Sequence, residues 1–164
     1  NPKLNFKQLS GSNKATHKKF SVFDRPGLVE SVVANRVQQK VNLQRNKTME
    51  LAQKQCIPCR GGIPPLKGDA LQALFDQLEK SWEMIDEHHL QKDYAFDSYR
   101  EAVRFTNLIA DLAESEGHHP ELLLSFLNVR VSIWTHKIDG MVESDFIFAA
   151  KSDQTHANEF TSTQ

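Results

Sequence analysis

Two adjacent histidines and a third that follows a short apolar hairpin, His118, His119 and His136, are the residues best placed for chemistry among the seven histidines of the chain. Histidine is the side chain whose ordinary pKa, about 6.5, lets it take and give protons near neutrality. Taken singly, a histidine after a helix is more often a surface or capping residue; three in one arrangement argue for acid–base work on a small molecule. Glu114 stands four residues before His118. On one helix face that spacing lets the carboxylate orient the imidazole and favour its protonated form. In the following hairpin, a turn centred on Leu127-Asn128 pairs Phe126 with Val129 and sets His119 opposite His136. Opposed residues of an antiparallel pair have Cβ atoms about 4.5 to 5.5 Å apart. The three imidazoles are therefore expected to line one cleft.

The elements that must hold them follow from periodicity. Cys56 to Leu66 is dense in Pro and Gly and reads as a loop. From Asp69, Leu71, Leu74, Leu78 and Trp82 recur at helical spacing, predicting a helix that ends near Ile85. Residues 89–96 alternate as a strand, although Lys92 interrupts the apolar side with Leu90, Tyr94 and Phe96. Asp97 or Ser98 can cap a second helix with an apolar stripe of Ala102, Phe105, Ile109, Leu112 and Ala113, and Gly117 and Pro120 end it. Residues 122–126 and 129–134 read as the hairpin, and 143–150 as a short third helix. This order implies an α+β fold in which a small antiparallel sheet carries three helices on one face.

Composition sets outer bounds. The chain has 164 residues, 39% hydrophobic and 25% charged, enough for one ordinary domain with a core. Its net charge of −1 conceals a division: residues 1–48 carry ten Lys/Arg against Asp24 and Glu30, a net +8, leaving −9 for residues 49–164. The first part shows one helix-like stretch, residues 28–41, with Val29, Val32, Val33 and Val37 near helical spacing. It is expected to be a basic flexible extension; a nucleic-acid-binding arm or an organelle transit peptide is the competing reading. Met49 stands before the first well-patterned segment as a candidate natural start, so the expected domain covers residues 49–151, followed by a polar tail over 152–164. No apolar run approaches the roughly 18 to 20 residues that cross a bilayer, and no secretory leader pattern opens the sequence. With only Cys56 and Cys59 as cysteines, a reducing, cytoplasmic setting is expected.

Glu114-Ser115-Glu116-Gly117-His118-His119-Pro120, then Phe126, Trp134-Thr135-His136 and Asp145, resemble the pterin-4a-carbinolamine dehydratase family in residue type, order and spacing. The resemblance extends over about residues 55–151 and does not cover residues 1–48. It implies 4a-hydroxytetrahydrobiopterin dehydratase activity, which recycles the pterin cofactor of aromatic amino-acid hydroxylases, on an αββαββα-type fold that forms homodimers or homotetramers. By position it assigns His118, His119 and His136 to the active site and Pro120 and Thr135 to substrate contacts. Gly117 and Leu122 stand where the animal members have a polar and an aromatic residue, which puts those two pterin contacts in question.

The chemistry suits the residues. Dehydrating a 4a-carbinolamine takes one proton from the pterin nitrogen and delivers another to the departing hydroxyl, with no redox cofactor and no metal. His118 and His136 are the expected acid–base pair, His119 the holder of the hydroxyl, and Trp134, Phe126 and Trp82 candidates for a stacking wall. A three-histidine zinc site competes, but adjacent side chains on extended chain diverge, so His118 and His119 converge poorly on one ion; a Cys56/Cys59 zinc knuckle lacks its second pair of ligands. A different class of reading is a non-catalytic dimerisation cofactor or assembly chaperone of the same fold. A scaffold has no physical need for three histidines and Glu114 together, which favours the enzyme. Direct contact with nucleic acid or membrane is not expected.

Overall fold

A computed structural model describes residues 26–57 and 62–160. Cys59 and the outer parts of the basic extension lie outside them. The chain divides into two units, residues 1–37 and 38–164. Within the first, residues 26–37 are helical, and the exposed Val32, Val33 and Val37 lie on that stretch. The helix, α1 (Pro26–Ala52), contains the stretch expected over residues 28–41.

In the second unit the end of α1 belongs to the core rather than to an appendage. Leu51 and Ala52 are buried. Thr48 Oγ1 donates to the Gln77 carbonyl at 2.6 Å, and Gln44 Nε2 donates to the carbonyls of Asp76 and Leu78 at 2.9 and 2.6 Å. A boundary between residues 48 and 49 therefore cuts a helix whose last turns are tied to the rest of the unit.

The remaining elements are α2 (Gly68–Phe75), β1 (Glu83–Ile85), β2 (His89–Ala95), α3 (Tyr99–Glu116), β3 (Glu121–Ser125), β4 (Asn128–Ile133), a 3₁₀ turn (His136–Ile138) and α4 (Glu143–Phe160). The four strands form one antiparallel sheet in the order β1-β2-β4-β3. Its inward side carries Leu90, Tyr94, Val129, Val131 and Ile133, all buried, with Leu122 and Leu124 packed beside them. Phe105, Ile109, Phe146 and Phe148 of α3 and α4 complete this core. The α+β class and the αββαββα order implied by the resemblance both hold.

Three expectations from periodicity are corrected. The helix from Asp69 stops at Phe75, not near Ile85. Leu78 and Trp82 are buried as their spacing suggested, but from a turn, and the chain then forms β1, which periodicity missed. Three residues are too few to show alternation. The tail expected over 152–164 is helical through Phe160, since Ser152 and Asp153 are buried polar residues with internal partners. Asp153 accepts from Trp82 Nε1 (2.9 Å), Tyr94 Oη (2.7 Å) and Lys92 Nζ (2.5 Å), which also explains how Lys92 can sit on the apolar side of β2. Burial, then the Asp153 carboxylate, push the Tyr94 phenol well above its usual range.

The hairpin register is the third. Ser125 pairs with Asn128 and Leu122 with Val131, so the turn is Phe126-Leu127 rather than Leu127-Asn128. Phe126 takes φ +39°, in the left-handed region that costs a non-glycine residue about 1 kcal/mol or more. The observed register differs from the expected one by two residues on the partner strand. A two-residue shift leaves every side chain on its original face, so Leu122, Leu124, Val129, Val131 and Ile133 point inward in both registers, and hydrophobic pattern cannot choose between them.

Candidate active site

α3 delivers the first two histidines. Ser98 and Glu101 form a reciprocal capping box at its start, and Gly117 ends it with φ +62°. The His118 N–H reaches back to the Ala113 carbonyl at 3.1 Å, closing the helix in a Schellman-type turn. Beyond that turn the chain has left the helix, and the four-residue spacing from Glu114 to His118 no longer puts them on one face. Glu114 instead bonds His119, Oε1 to Nε2 at 3.0 Å, and both side chains are exposed. The expected Glu114–His118 pair is therefore corrected to Glu114–His119.

His118 turns inward. Its Nε2 lies 2.7 Å from Oδ1 of Asp145, whose side chain is fully buried, and its ring meets Phe148 edge-on at 6.0 Å. Asp145 sits in the first turn of α4, where Oδ2 accepts the Val142 N–H at 2.7 Å, the half of a capping box that reaches back to the helix start. Oδ2 also accepts the Thr135 hydroxyl at 3.0 Å. Thr135 is thus buried and committed to Asp145, besides donating its N–H to the Gly140 carbonyl at 2.9 Å. A carboxylate only accepts, so the neutral His118 carries its proton on Nε2 and its lone pair on Nδ1. Asp145 fixes the tautomer.

His136 begins the 3₁₀ turn after β4 and is exposed. Its ring lies 4.3 Å from the Trp134 indole, tilted by 34°. β3 starts at Glu121 and β4 ends at Ile133, so neither His119 nor His136 belongs to the ladder, and the cross-strand pairing expected for them is not formed. A cleft of about 210 Å³ nonetheless brings His118, His119 and His136 together, lined further by Gly117, Trp134, Thr135 and Lys137. Pro120, half-buried, leads from it into β3. Of the aromatic candidates only Trp134 lines this cleft: Phe126 is exposed at the hairpin turn and Trp82 is buried against Asp153.

The loop around residues 53–57 is tied to the ends of α3 and α4 that carry His118 and Asp145. Ile57 N–H donates to Ser144 Oγ at 3.0 Å, beside Asp145, and Cys56 N–H donates to Glu116 Oε2 at 3.0 Å, two residues before His118. Glu116 also pairs with Lys151. Burial works to raise the Glu116 carboxyl, but the Lys151 and Cys56 donors outweigh it and hold it below its usual range. Burial first, then the Glu116 charge, push the Cys56 thiol up to about 12. Pro65 packs so closely on Gly140 that a Cβ there would lie 2.7 Å from the proline Cβ.

A buried carboxylate bonded to one histidine, in a cleft lined by two more on an α+β sheet domain, is an arrangement able to move protons on a small bound molecule. The profile of the Pterin 4 alpha carbinolamine dehydratase family matches residues 64–155, and the chain belongs to that family. Proteins named pterin-4-alpha-carbinolamine dehydratase from Alkaliphilus metalliredigens and Rubrobacter xylanophilus are each 50% identical to it, over 104 and 105 residues. These alignments cover 63% and 64% of this chain and 94% and 97% of the relatives. A crystal structure described as a transcriptional coactivator/pterin dehydratase from Brucella melitensis matches with a TM-score of 0.51 and 25% identity, covering 55% of this chain and 96% of that one. Asp145 is the residue whose role sequence reasoning missed: it belongs to the family pattern, but its bond to His118 spans 27 positions.

Proposed function

We propose that this chain dehydrates a pterin 4a-carbinolamine, 4a-hydroxytetrahydrobiopterin or a close analogue, to quinonoid dihydropterin and water. The observation that carries the reading is the cleft in which an Asp145-bonded His118 meets His119 and His136. His118, with its proton held at Nε2, takes the N5 proton of the pterin at Nδ1. His136 gives a proton to the 4a-hydroxyl as the C4a–O bond breaks and the electron pair from N5 forms the C4a–N5 double bond. The two histidines then exchange protons with solvent and are restored. His119, oriented by Glu114, holds the departing hydroxyl, and Trp134 offers its indole to the pterin ring. Pro120 and Thr135 shape the substrate's seat, Thr135 through Asp145. No metal ion or redox cofactor takes part in this scheme.

The same proposal includes a homo-oligomer, dimer or tetramer. It is supported by β3, which among the described residues forms an edge of the sheet and carries the exposed Leu123. A cytoplasmic setting belongs to it too, supported by the free thiol of Cys56. Among the described residues no helix is long and apolar enough to cross a membrane. The test is a dehydration assay with freshly generated 4a-hydroxytetrahydropterin, before and after exhaustive chelation. Faster appearance of quinonoid dihydropterin in both samples is the expected result. No acceleration over buffer would refute the activity, and loss on chelation with recovery by zinc would refute the metal-free chemistry.

A further inference from the structure

Trp134 meets more than the cleft. Besides His136, its indole lies 5.5 Å from the ring of His88 and 5.6 Å from that of His89. His88 ends the β1–β2 connection, where Asp86 and Glu87 each take φ +51° and His88 N–H closes the turn on the Ile85 carbonyl at 2.8 Å, and His89 begins β2. His88 Nε2 lies 3.0 Å from Oδ1 of Asp139, the residue that ends the 3₁₀ turn begun by His136. His88 Nδ1 lies 3.0 Å from His89 Nδ1. A carboxylate oxygen only accepts, so His88 donates from Nε2; in its neutral form it accepts at Nδ1 from His89 Nδ1–H. Burial, then neighbouring His88, hold His89 below the usual histidine range, in keeping with a neutral donor. Among the described residues no group of three or more His, Cys, Asp or Glu is arranged to hold a metal ion.

The 3₁₀ turn is held at its base by Thr135 and Gly140, while His136 and Asp139 themselves are exposed. We propose that His88 is a positioning residue for His136: through its bond to Asp139 and its packing on Trp134 it fixes the turn that carries His136 and the indole against which that ring rests. This rests on the dehydratase reading for its effect on turnover, but not for its effect on geometry. The His88–Asp139 pair is partly exposed and weak by itself, so its loss misplaces a proton donor rather than removing it.

The test compares the full chain with His88→Ala, His88→Gln and Asp139→Ala, measuring kcat, KM and the NMR shifts of the His136 ring, which the Trp134 ring current displaces. His88→Ala and Asp139→Ala are expected to lower kcat by about three- to tenfold with little change in KM, and to move the His136 resonances toward those of a free imidazole. His88→Gln keeps an N–H near the Nε2 position and should restore most of both. Unchanged His136 shifts in both alanine variants, or a glutamine variant no better than alanine, would overturn the proposal. Should the unsubstituted chain lack dehydratase activity, the NMR response still decides the positioning role, and the activity alone is refuted.

Discussion

Replacing Asp145 by asparagine changes one atom of the buried carboxylate, and the structure dictates which way the amide must face. Val142 N–H can only donate, and it shares Oδ2 with the Thr135 hydroxyl, so the amide oxygen has to occupy that position. The NH₂ group then points at His118 Nε2, which must become an acceptor. The neutral imidazole is forced to carry its proton on Nδ1, the nitrogen from which the base lone pair was to act. A wrong tautomer in an otherwise intact aspartate–histidine couple costs a large part of general-base catalysis, here an expected fall in kcat of about 10² to 10⁴ with KM little altered. Because all three hydrogen bonds survive in uncharged form, stability should drop by only about 1 to 3 kcal/mol, leaving a folded protein to assay. Turnover is followed through quinonoid dihydropterin, and the tautomer through the ¹⁵N shifts of His118. A folded Asp145→Asn variant with kcat within threefold of the unsubstituted chain, or with His118 still protonated at Nε2, would refute the reasoning.

Other expectations are equally open to measurement. His118→Ala and His136→Ala should each lower turnover by about 10² to 10⁴, whereas His119→Ala should also raise KM; steady-state kinetics showing less than a tenfold loss at either of the first two would remove them from proton transfer. A chain starting at Met49 loses the Thr48 and Gln44 hydrogen bonds to the 76–78 turn, so its melting temperature should fall by about 5 °C or more relative to one starting at Gln38; equal melting curves would count against this anchoring. The Cys56 thiol, pushed up to about 12, stays protonated at pH 8, and brief alkylation followed by peptide mapping should find it unmodified unless the protein is denatured. Its raised value also sets a sign: the stability it contributes is full below the unfolded value near 9 and is lost as pH climbs toward 12, so Cys56→Ser should flatten the alkaline arm of a stability profile.

The parts of this molecule legible in the sequence are those governed by local rules. The α3 stripe, its Ser98 cap and its Gly117 stop were readable because each depends on residues within a turn or two. The gathering of His118, His119 and His136 in one cleft was anticipated from a register that was itself wrong, because the histidines lie beyond the ladder on both sides. Glu114 misled for a physical reason: helical spacing ends with the helix, and His118 lies past a left-handed residue. Asp145 and Asp153 escaped because their partners come from other elements, at separations of 27 and 71 residues for His118 and Trp82. Lys92 looked like a break in a strand pattern and is instead an inward charge with a buried counterpart.

Helix α4 therefore works as a ruler. It is pinned at its start by Asp145 and two turns later by Asp153, eight residues apart and so about 12 Å along the axis. A rigid rod fastened at two points can neither slide nor roll without loosening both. A protein engineer wishing to perturb the His118 cleft without touching any residue in it has a remote adjustment at the far fastening. Shortening Lys92 or removing the Trp82 indole would weaken that fastening and leave the Asp145 end, which bonds His118, to hold the rod alone.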